Sequence, residues 1–142
     1  MKKLLALLLS LSASLALAPT AQAADAAAAK QASTDRVISH VDMKKTLERP
    51  DGVTILDLRR NADYDKDTLT MPAARRFDPD KIAEWSGTLP KDKEILLFCA
   101  HGRSISNASV DYLTKHGYKA RLIAGGFDTW KEAGGATAPK LP

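Results

Sequence analysis

A single cysteine, Cys99, stands directly after the apolar run 95–98 and just ahead of a stretch with helical spacing. The residues between them, AHGRS at 100–104, include a glycine, a histidine and an arginine. If this segment curls into a turn, successive backbone N–H groups point into one hollow, and the helix that follows adds the positive end of its dipole. A sulfur at the base of that hollow would be stabilised as its thiolate, as at other helix N-termini. The pattern predicts an anion-binding loop with Cys99 as its nucleophile.

The loop residues are predicted to form the substrate-binding part of this site. Gly102 suits a turn that needs a positive φ angle or a close backbone approach. Arg103 supplies a cation at the mouth, Ser104 is predicted as the N-cap of the following helix, and Ala100 contributes its backbone. His101 has two interpretations that the sequence leaves open: it orients a substrate, or it occupies a surface position.

Two other roles for Cys99 are open. As the only cysteine it cannot form an intramolecular disulfide, and a lone cysteine is commonly a buried and inert core residue. A copper ion held by Cys99 and His101 is a second alternative, although one cysteine and three histidines are too few for a structural zinc site. We therefore predict neither a metal nor a cofactor.

Short apolar runs alternate with helix-like stretches along the chain. This alternation predicts an α/β fold in which a central parallel sheet carries helices on both faces. Ligands bind at the carboxyl ends of the strands in such sheets, and Cys99 lies at one of these ends. The predicted strands are residues 37–38, 53–58, 94–98 and 119–124, and the predicted helices begin near residues 39, 62, 78, 104 and 127.

Two local interpretations concern the surroundings of the loop. In the helix after it, Ile105, Ala108, Ser109 and Tyr112 fall at positions i, i+3, i+4 and i+7, which predicts that they form its buried face. Residues 59–77 are mostly polar and are interpreted as turns around one helical turn, so no strand is predicted there.

Three motifs in order resemble the rhodanese family of single-domain sulfurtransferases over residues 37–134. The stretch ISHVDMKKTLERPDGVTILDLR is similar to the family's opening helix and its Asp-x-Arg strand end, here Asp57 and Arg59. CAHGRSIS is similar to its six-residue active-site loop at residues 99–104, and GGFDTWKEAGG matches its closing glycine and tryptophan signature at residues 125–134. The resemblance implies a central sheet of about five strands.

This resemblance also implies sulfur transfer through Cys99. In that family the cysteine takes the outer sulfur of a donor such as thiosulfate, sulfite leaves, and an acceptor such as cyanide or a thiol removes the sulfur. A persulfide is anionic near neutral pH, so amides that stabilise a thiolate also stabilise this intermediate. The implied partners are small sulfur donors and acceptors, with a protein as a further candidate acceptor.

The chain departs from the family pattern at two places. The sixth loop position, which is often Arg in the family, is Ser104, and Arg103 stands at the fifth position. The segment that is usually Gly-His-Ile-Pro-Gly-Ala is replaced by DTLTMPAA at residues 67–74. Both departures concern the loop and the donor rather than the fold.

Asp57 and Arg59 are interpreted as structural support rather than as catalytic residues. A carboxylate at a buried strand end accepts backbone N–H bonds or pairs with a cation. Asp63 is the expected partner of Arg59.

Two other functions compete with sulfur transfer. Phosphatases and arsenate reductases of related fold have a loop with Cys first and Arg seventh, whereas the seventh residue here is Ile105. Losing that cation would be costly at a phosphoryl-transfer site. A binding module that carries persulfide to a partner protein is compatible with every residue named above.

Residues 1–23 have the layout of a secretory signal peptide. Lys2 and Lys3 precede an apolar run at 4–18, and the AQA of 21–23 is a small-x-small cleavage signal. A membrane anchor is the alternative, but a run of about 15 residues is shorter than the roughly 20 that a spanning helix needs. We therefore expect a periplasmic protein that has no membrane association after cleavage. The predicted organisation is a signal peptide at 1–23, a flexible leader at 24–34, a rhodanese-like domain at 35–137 and a C-terminal tail at 138–142.

The charge balance gives little support for nucleic-acid binding. The chain has 21 basic and 17 acidic residues, and removal of Lys2 and Lys3 leaves 19 basic residues against the same 17. No basic stripe with interleaved aromatic residues is present in the sequence.

The cleavage signal makes a direct prediction about the mature chain. We expect it to begin at Ala24, because the AQA box follows an apolar run of the right length. N-terminal sequencing of the protein from the periplasmic fraction checks this, and an intact Met1 in the membrane pellet would contradict it.

Overall fold

Five parallel strands form the central sheet of the protein, which a computed structural model describes for residues 35–140. The predicted signal peptide and leader lie outside the described residues. Every neighbouring pair of strands in this sheet is parallel, which confirms the predicted α/β fold. The strands are β1 (Val37–Ile38), β2 (Val53–Asp57), β4 (Ala74–Arg76), β5 (Glu94–Phe98) and β6 (Ala120–Ile123), in the order β1-β6-β5-β2-β4.

Helices cover both faces of this sheet. The first and last, α1 (His40–Glu48) and α5 (Gly126–Glu132), pack on one face, while α3 (Ile82–Trp85) and α4 (Ser104–Lys115) pack on the other. A short helix, α2 (Asn61–Asp65), follows β2. Within the described range, none of these helices is long and apolar enough to cross a bilayer.

The central strand β5 shows why the core has two halves. Its side chains alternate between the faces, so Ile95 and Leu97 join the cluster beneath α4, while Leu96 and Phe98 join the cluster beneath α5. All four are fully buried. A parallel strand that is covered on both faces has an unbroken apolar sequence, and this is why ILLF was recognisable as a strand.

Residues 59–77 contain two strands, so the interpretation of this stretch as turns is corrected. β4 is the edge strand of the main sheet beside β2, and β3 (Leu69–Thr70) pairs antiparallel with β7 (Ala138–Pro139). β4 has the sequence Ala-Arg-Arg and is only partly buried, as suits a short edge strand, so its sequence carries no apolar signal. β7 occupies the start of the segment that was assigned to a C-terminal tail.

The buried face of α4 is also corrected. Ile105 and Tyr112 are half-buried and Ala108 is exposed. The observed face has the same i, i+3, i+4, i+7 spacing but begins one residue later. Because two of its four residues are serines, apolar residues at helical spacing do not reveal it. It consists of Ser106, Ser109, Val110 and Leu113.

The carboxyl end of β2 holds a buried ion pair. Asp57 and Arg59 are 1% and 2% exposed, and Arg59 Nη2 lies 2.5 Å from Asp57 Oδ2. The Thr70 hydroxyl donates to the same carboxylate at 2.8 Å, and Arg59 donates to the Leu69 carbonyl at 3.0 Å. The pair therefore joins β2 to β3. The prediction that Arg59 pairs with Asp63 is wrong, because the carboxylate two residues earlier already faces the guanidinium.

Removal of the buried carboxylate charge should destabilise the fold strongly. In Asp57→Asn, the Arg59 charge stays buried without its main partner, which typically costs about 3–5 kcal/mol. Chemical denaturation measures this loss. The matched control is Asp111→Asn, whose carboxylate pairs with Arg36 in an exposed position and whose loss should change stability little. Equal effects of the two substitutions would contradict a structural role for the buried pair.

Candidate active site

The sulfur of Cys99 lies against the first turn of α4. Cys99 follows β5 directly and is 4% exposed, and its Sγ accepts a hydrogen bond from Ser106 Oγ at 2.9 Å. Ser106 is fully buried and is the third residue of α4. The first amides of a helix lack intrahelical acceptors and carry its positive dipole end, so the sulfur lies beside partial positive charge.

The N-terminus of α4 has no capping side chain. The helix begins at Ser104 itself, with Arg103 at the N-cap position, so the prediction of Ser104 as the cap is one residue too late. The Arg103 carbonyl accepts from the amide of Asn107 at 3.1 Å and from its Nδ2 at 2.9 Å. The amides of 101–104 donate no hydrogen bond to any residue in the described range 35–140. Of these residues, His101, Arg103 and Ser104 line a hollow beside Cys99, so their amides are the candidates for binding an anion.

The start of α5 fixes the direction in which the loop presents its amides. The Phe127 amide donates to the Cys99 carbonyl at 2.9 Å, and the Asp128 amide donates to the Ala100 carbonyl at 3.0 Å. In a planar trans peptide the C=O and the following N–H point to opposite sides. The amides of Ala100 and His101 consequently point away from α5, which contributes no residue to the hollow beside Cys99.

Two glycines allow this close contact between the loop and α5. Gly102 and Gly126 both have positive φ angles, +62° and +72°. A Cβ atom on Gly126 would lie 2.4 Å from the Gly102 nitrogen, and one on Gly102 would lie 2.6 Å from the Gly126 nitrogen. Any side chain at either position would push the two segments apart.

A small hollow of about 130 Å³ opens beside Cys99. A water molecule occupies about 30 Å³ in the liquid and drug-sized ligands need several hundred, so this volume suits a small inorganic anion. Of the predicted loop residues 99–104, only Gly102 does not line it, because Gly102 contacts α5 instead; the supporting residues Asp57 and Arg59 also lie outside its lining. Ile105, the seventh residue counted from Cys99, also lines the hollow. It is apolar and offers no cation to a phosphoryl group. The lining residues are Asp63, Cys99, Ala100, His101, Arg103, Ser104 and Ile105.

A larger charged cleft of about 370 Å³ adjoins the hollow and shares Asp63, Ala100 and His101 with it. Lys131 Nζ lies 2.5 Å from Asp67 Oδ2 in this cleft. Burial raises the pKa of the Asp67 carboxyl, but hydrogen bonds from Lys131 and the Leu69 amide and the nearby positive charges outweigh it, so that its pKa lies below the ordinary value. The remaining lining residues of the cleft are Arg59, Lys66 and Asp128.

Two residues whose side chains contact the side chains of Cys99 and His101 were not found from the sequence. Ser106, which donates to Cys99, would have emerged if the buried face of α4 had been placed one residue later. Asp128 Oδ2 lies 2.9 Å from His101 Nδ1. The two residues are 27 positions apart in the sequence, and no local pattern predicts their pairing. This contact requires the fold to bring α5 against the loop.

Comparison with known proteins points to the same family as the three sequence motifs. Residues 39–133 match the family model described as "Rhodanese-like domain". The thiosulfate sulfurtransferase GlpE of Coxiella burnetii is 30% identical over 95 residues, which cover 66% of this chain and 85% of that protein. The putative sulfurtransferase YtwF of Bacillus subtilis is 29% identical over 103 residues, covering 72% of this chain and 94% of that protein.

Solved structures match the fold. A rhodanese-related protein from Thermoplasma volcanium has a TM-score of 0.65 at 24% identity and covers 74% of this chain and 99% of its own. A full-length protein from Lactobacillus plantarum has a TM-score of 0.73 at 17% identity, covering 83% and 99%. At these identities the likeness concerns the fold alone.

The hydrogen bond from Ser106 to the sulfur can be tested through thiol reactivity. A hydrogen bond to a charged group contributes about 1.5–3 kcal/mol, so Ser106→Ala should slow alkylation of Cys99 by iodoacetamide by about tenfold at neutral pH. Ser109→Ala is the matched control, since Ser109 is buried on the same face of α4 but the hydrogen bond to the Cys99 sulfur comes from Ser106. Equal alkylation rates in the two variants would mean that the Ser106 hydroxyl does not stabilise the thiolate.

Proposed function

This chain belongs to the family of rhodanese-like domains and is related to sulfurtransferases, and we propose that it transfers the outer sulfur of thiosulfate, or of a similar donor, to cyanide or a thiol. The carrier of the sulfur is a persulfide on Cys99. One observation carries this proposal: the only thiol of the chain lines a small hollow beside a loop whose amides at 101–104 have no acceptor within residues 35–140.

The loading step follows from this geometry. The Cys99 thiolate attacks the outer sulfur of thiosulfate, the S–S bond of the donor breaks, and its electron pair leaves with sulfite. The outer sulfur stays on Cys99 as an anionic persulfide. The loop amides and the N-terminus of α4 face the same negative charge before and after the step, so they need no rearrangement.

The unloading step returns the enzyme to its starting state. A nucleophilic acceptor attacks the outer sulfur of the persulfide, and the bond between the two sulfurs breaks. Cys99 leaves as a thiolate, which the Ser106 hydroxyl and the amides again stabilise. The two half-reactions share one intermediate and therefore predict ping-pong kinetics.

We place this reaction in the periplasm. The support is the sequence of residues 1–23 alone, which has the charged start, apolar run and cleavage box of an exported protein.

The sulfur adduct is the direct test of the proposal. Thiosulfate should add the mass of one sulfur atom to the wild-type protein, at Cys99, and cyanide should remove it as thiocyanate. Cys99→Ser should lose both the adduct and turnover while remaining folded, because a hydroxyl of similar size accepts the same hydrogen bonds. A wild-type protein that gains no sulfur, or a serine variant that still turns over, would refute the proposal. Unfolding of the serine variant would instead indicate a core cysteine.

Arg103 should contribute to binding of the donor. Its side chain is exposed at the edge of the hollow, where it can approach a dianion, and it makes no hydrogen bond or ion pair with any residue in the described range 35–140. Arg103→Ala should raise the KM for thiosulfate about tenfold, equivalent to about 1.4 kcal/mol, with little change in kcat if the contact is equal in ground and transition states. Arg103→Lys, which keeps the charge, should recover part of the loss. An unchanged KM in the alanine variant would assign donor binding to the backbone amides alone.

A further inference from the structure

A carboxylate holds the His101 ring at the edge of the hollow. Nδ1 of His101 lies 2.9 Å from Asp128 Oδ2, and the Asp128 amide is bonded to the Ala100 carbonyl, so Asp128 is itself attached to the loop. With a carboxylate at Nδ1, the neutral ring carries its proton on that nitrogen. Nε2 then keeps its lone pair and is able to accept a proton.

His101 lies at the boundary between the hollow and the charged cleft. It lines both the hollow that contains Cys99 and the larger charged cleft beside it. An acceptor molecule that occupies the cleft and reaches toward the sulfur of Cys99 therefore passes the His101 ring.

The two half-reactions differ in their need for a base. Loading from thiosulfate moves no proton, because a thiolate attacks and sulfite leaves with its electron pair. A thiol acceptor, in contrast, must lose a proton before its sulfur becomes an effective nucleophile. Among the side chains lining the hollow, Arg103 has no lone pair for a proton, whereas the imidazole of His101 and the carboxylate of Asp63 can each accept one.

Building on the proposed sulfur transfer, we propose that the charged cleft admits a thiol acceptor and that His101, positioned by Asp128, accepts its proton. The thiol S–H gives its proton to Nε2, and the resulting thiolate attacks the outer sulfur of the Cys99 persulfide. The S–S bond to Cys99 breaks, Cys99 leaves as a thiolate, and the acceptor departs as its own persulfide anion. The imidazolium then releases the proton to water. His101 is thus a catalytic residue of the unloading step, and Asp128 is a positioning residue.

Comparing two acceptors tests this assignment. The persulfide is formed on the full-length protein, and its decay is followed with dithiothreitol as a thiol and with sulfite, which attacks as an anion and regenerates thiosulfate. General-base catalysis typically contributes about 10²–10⁴-fold, and His101 is 59% exposed, so His101→Ala should slow the thiol about 100-fold. The sulfite rate should change less than about threefold, since no proton transfer is removed. Imidazole added to the buffer should restore part of the thiol rate.

Asp128 and Asp63 provide a matched pair of variants, because both carboxylates line the charged cleft. Asp128→Asn should slow the thiol selectively by about tenfold, because it removes the group that orients the ring. Asp63→Asn tests the rival base, because Asp63 also lines both the hollow and the cleft; if this substitution slows the reaction, we expect it to slow the thiol and sulfite alike. A selective loss in Asp63→Asn would transfer the proton-accepting role to that residue and overturn the assignment.

Two further results would also overturn it: equal slowing of both acceptors in His101→Ala, or no slowing of either. The persulfide is prepared from thiosulfate and, separately, from inorganic polysulfide. If thiosulfate fails to load Cys99, the proposed donor is wrong, while the polysulfide-loaded protein still decides the role of His101.

Discussion

Between the turn at Gly125–Gly126 and the loop after Cys99, two backbone segments approach so closely that a methyl group fits in neither. Because of this contact, the amides of Phe127 and Asp128 in the first turn of α5 donate hydrogen bonds to the carbonyls of Cys99 and Ala100. Because each peptide is planar, fixing the carbonyls on one side fixes the amides on the other. The direction in which the loop presents its amides is therefore a property of backbone geometry, and the side chain of Arg103 lies at the edge of the same hollow.

The sheet brings these parts to one place. Parallel strands end at the same edge, so Cys99 after β5, Asp57 at the end of β2 and the glycine turn after β6 become neighbours. The buried guanidinium of Arg59 then lies 4.3 Å from the centre of the Phe127 ring and joins the end of β2 to α5. An ion pair far from the sulfur in sequence thus supports the helix that holds the loop.

The parts of the fold that the sequence revealed are those with a strong local signal. The run 95–98 is apolar throughout because both faces of β5 are covered, and the predicted strand bounds 94–98 agree with the structure. The edge strand β4 was missed because its Ala-Arg-Arg sequence is partly exposed and resembles a loop. At the site, the loop 99–104 was identified from one stretch of chain, whereas the contacts of Ser106 with Cys99 and of Asp128 with His101 depend on the register of a helix and on tertiary packing.

The central claim is that backbone amides of the loop hold the transferred sulfur, and a crystal structure of the thiosulfate-treated protein tests it most directly. We predict one additional sulfur bonded to Cys99 Sγ, inside the hollow and within hydrogen-bonding distance of amides from residues 101–104. A persulfide that points out of the hollow would contradict this account. So would a thiosulfate-treated crystal in which Cys99 carries no additional sulfur and the donor is bound elsewhere.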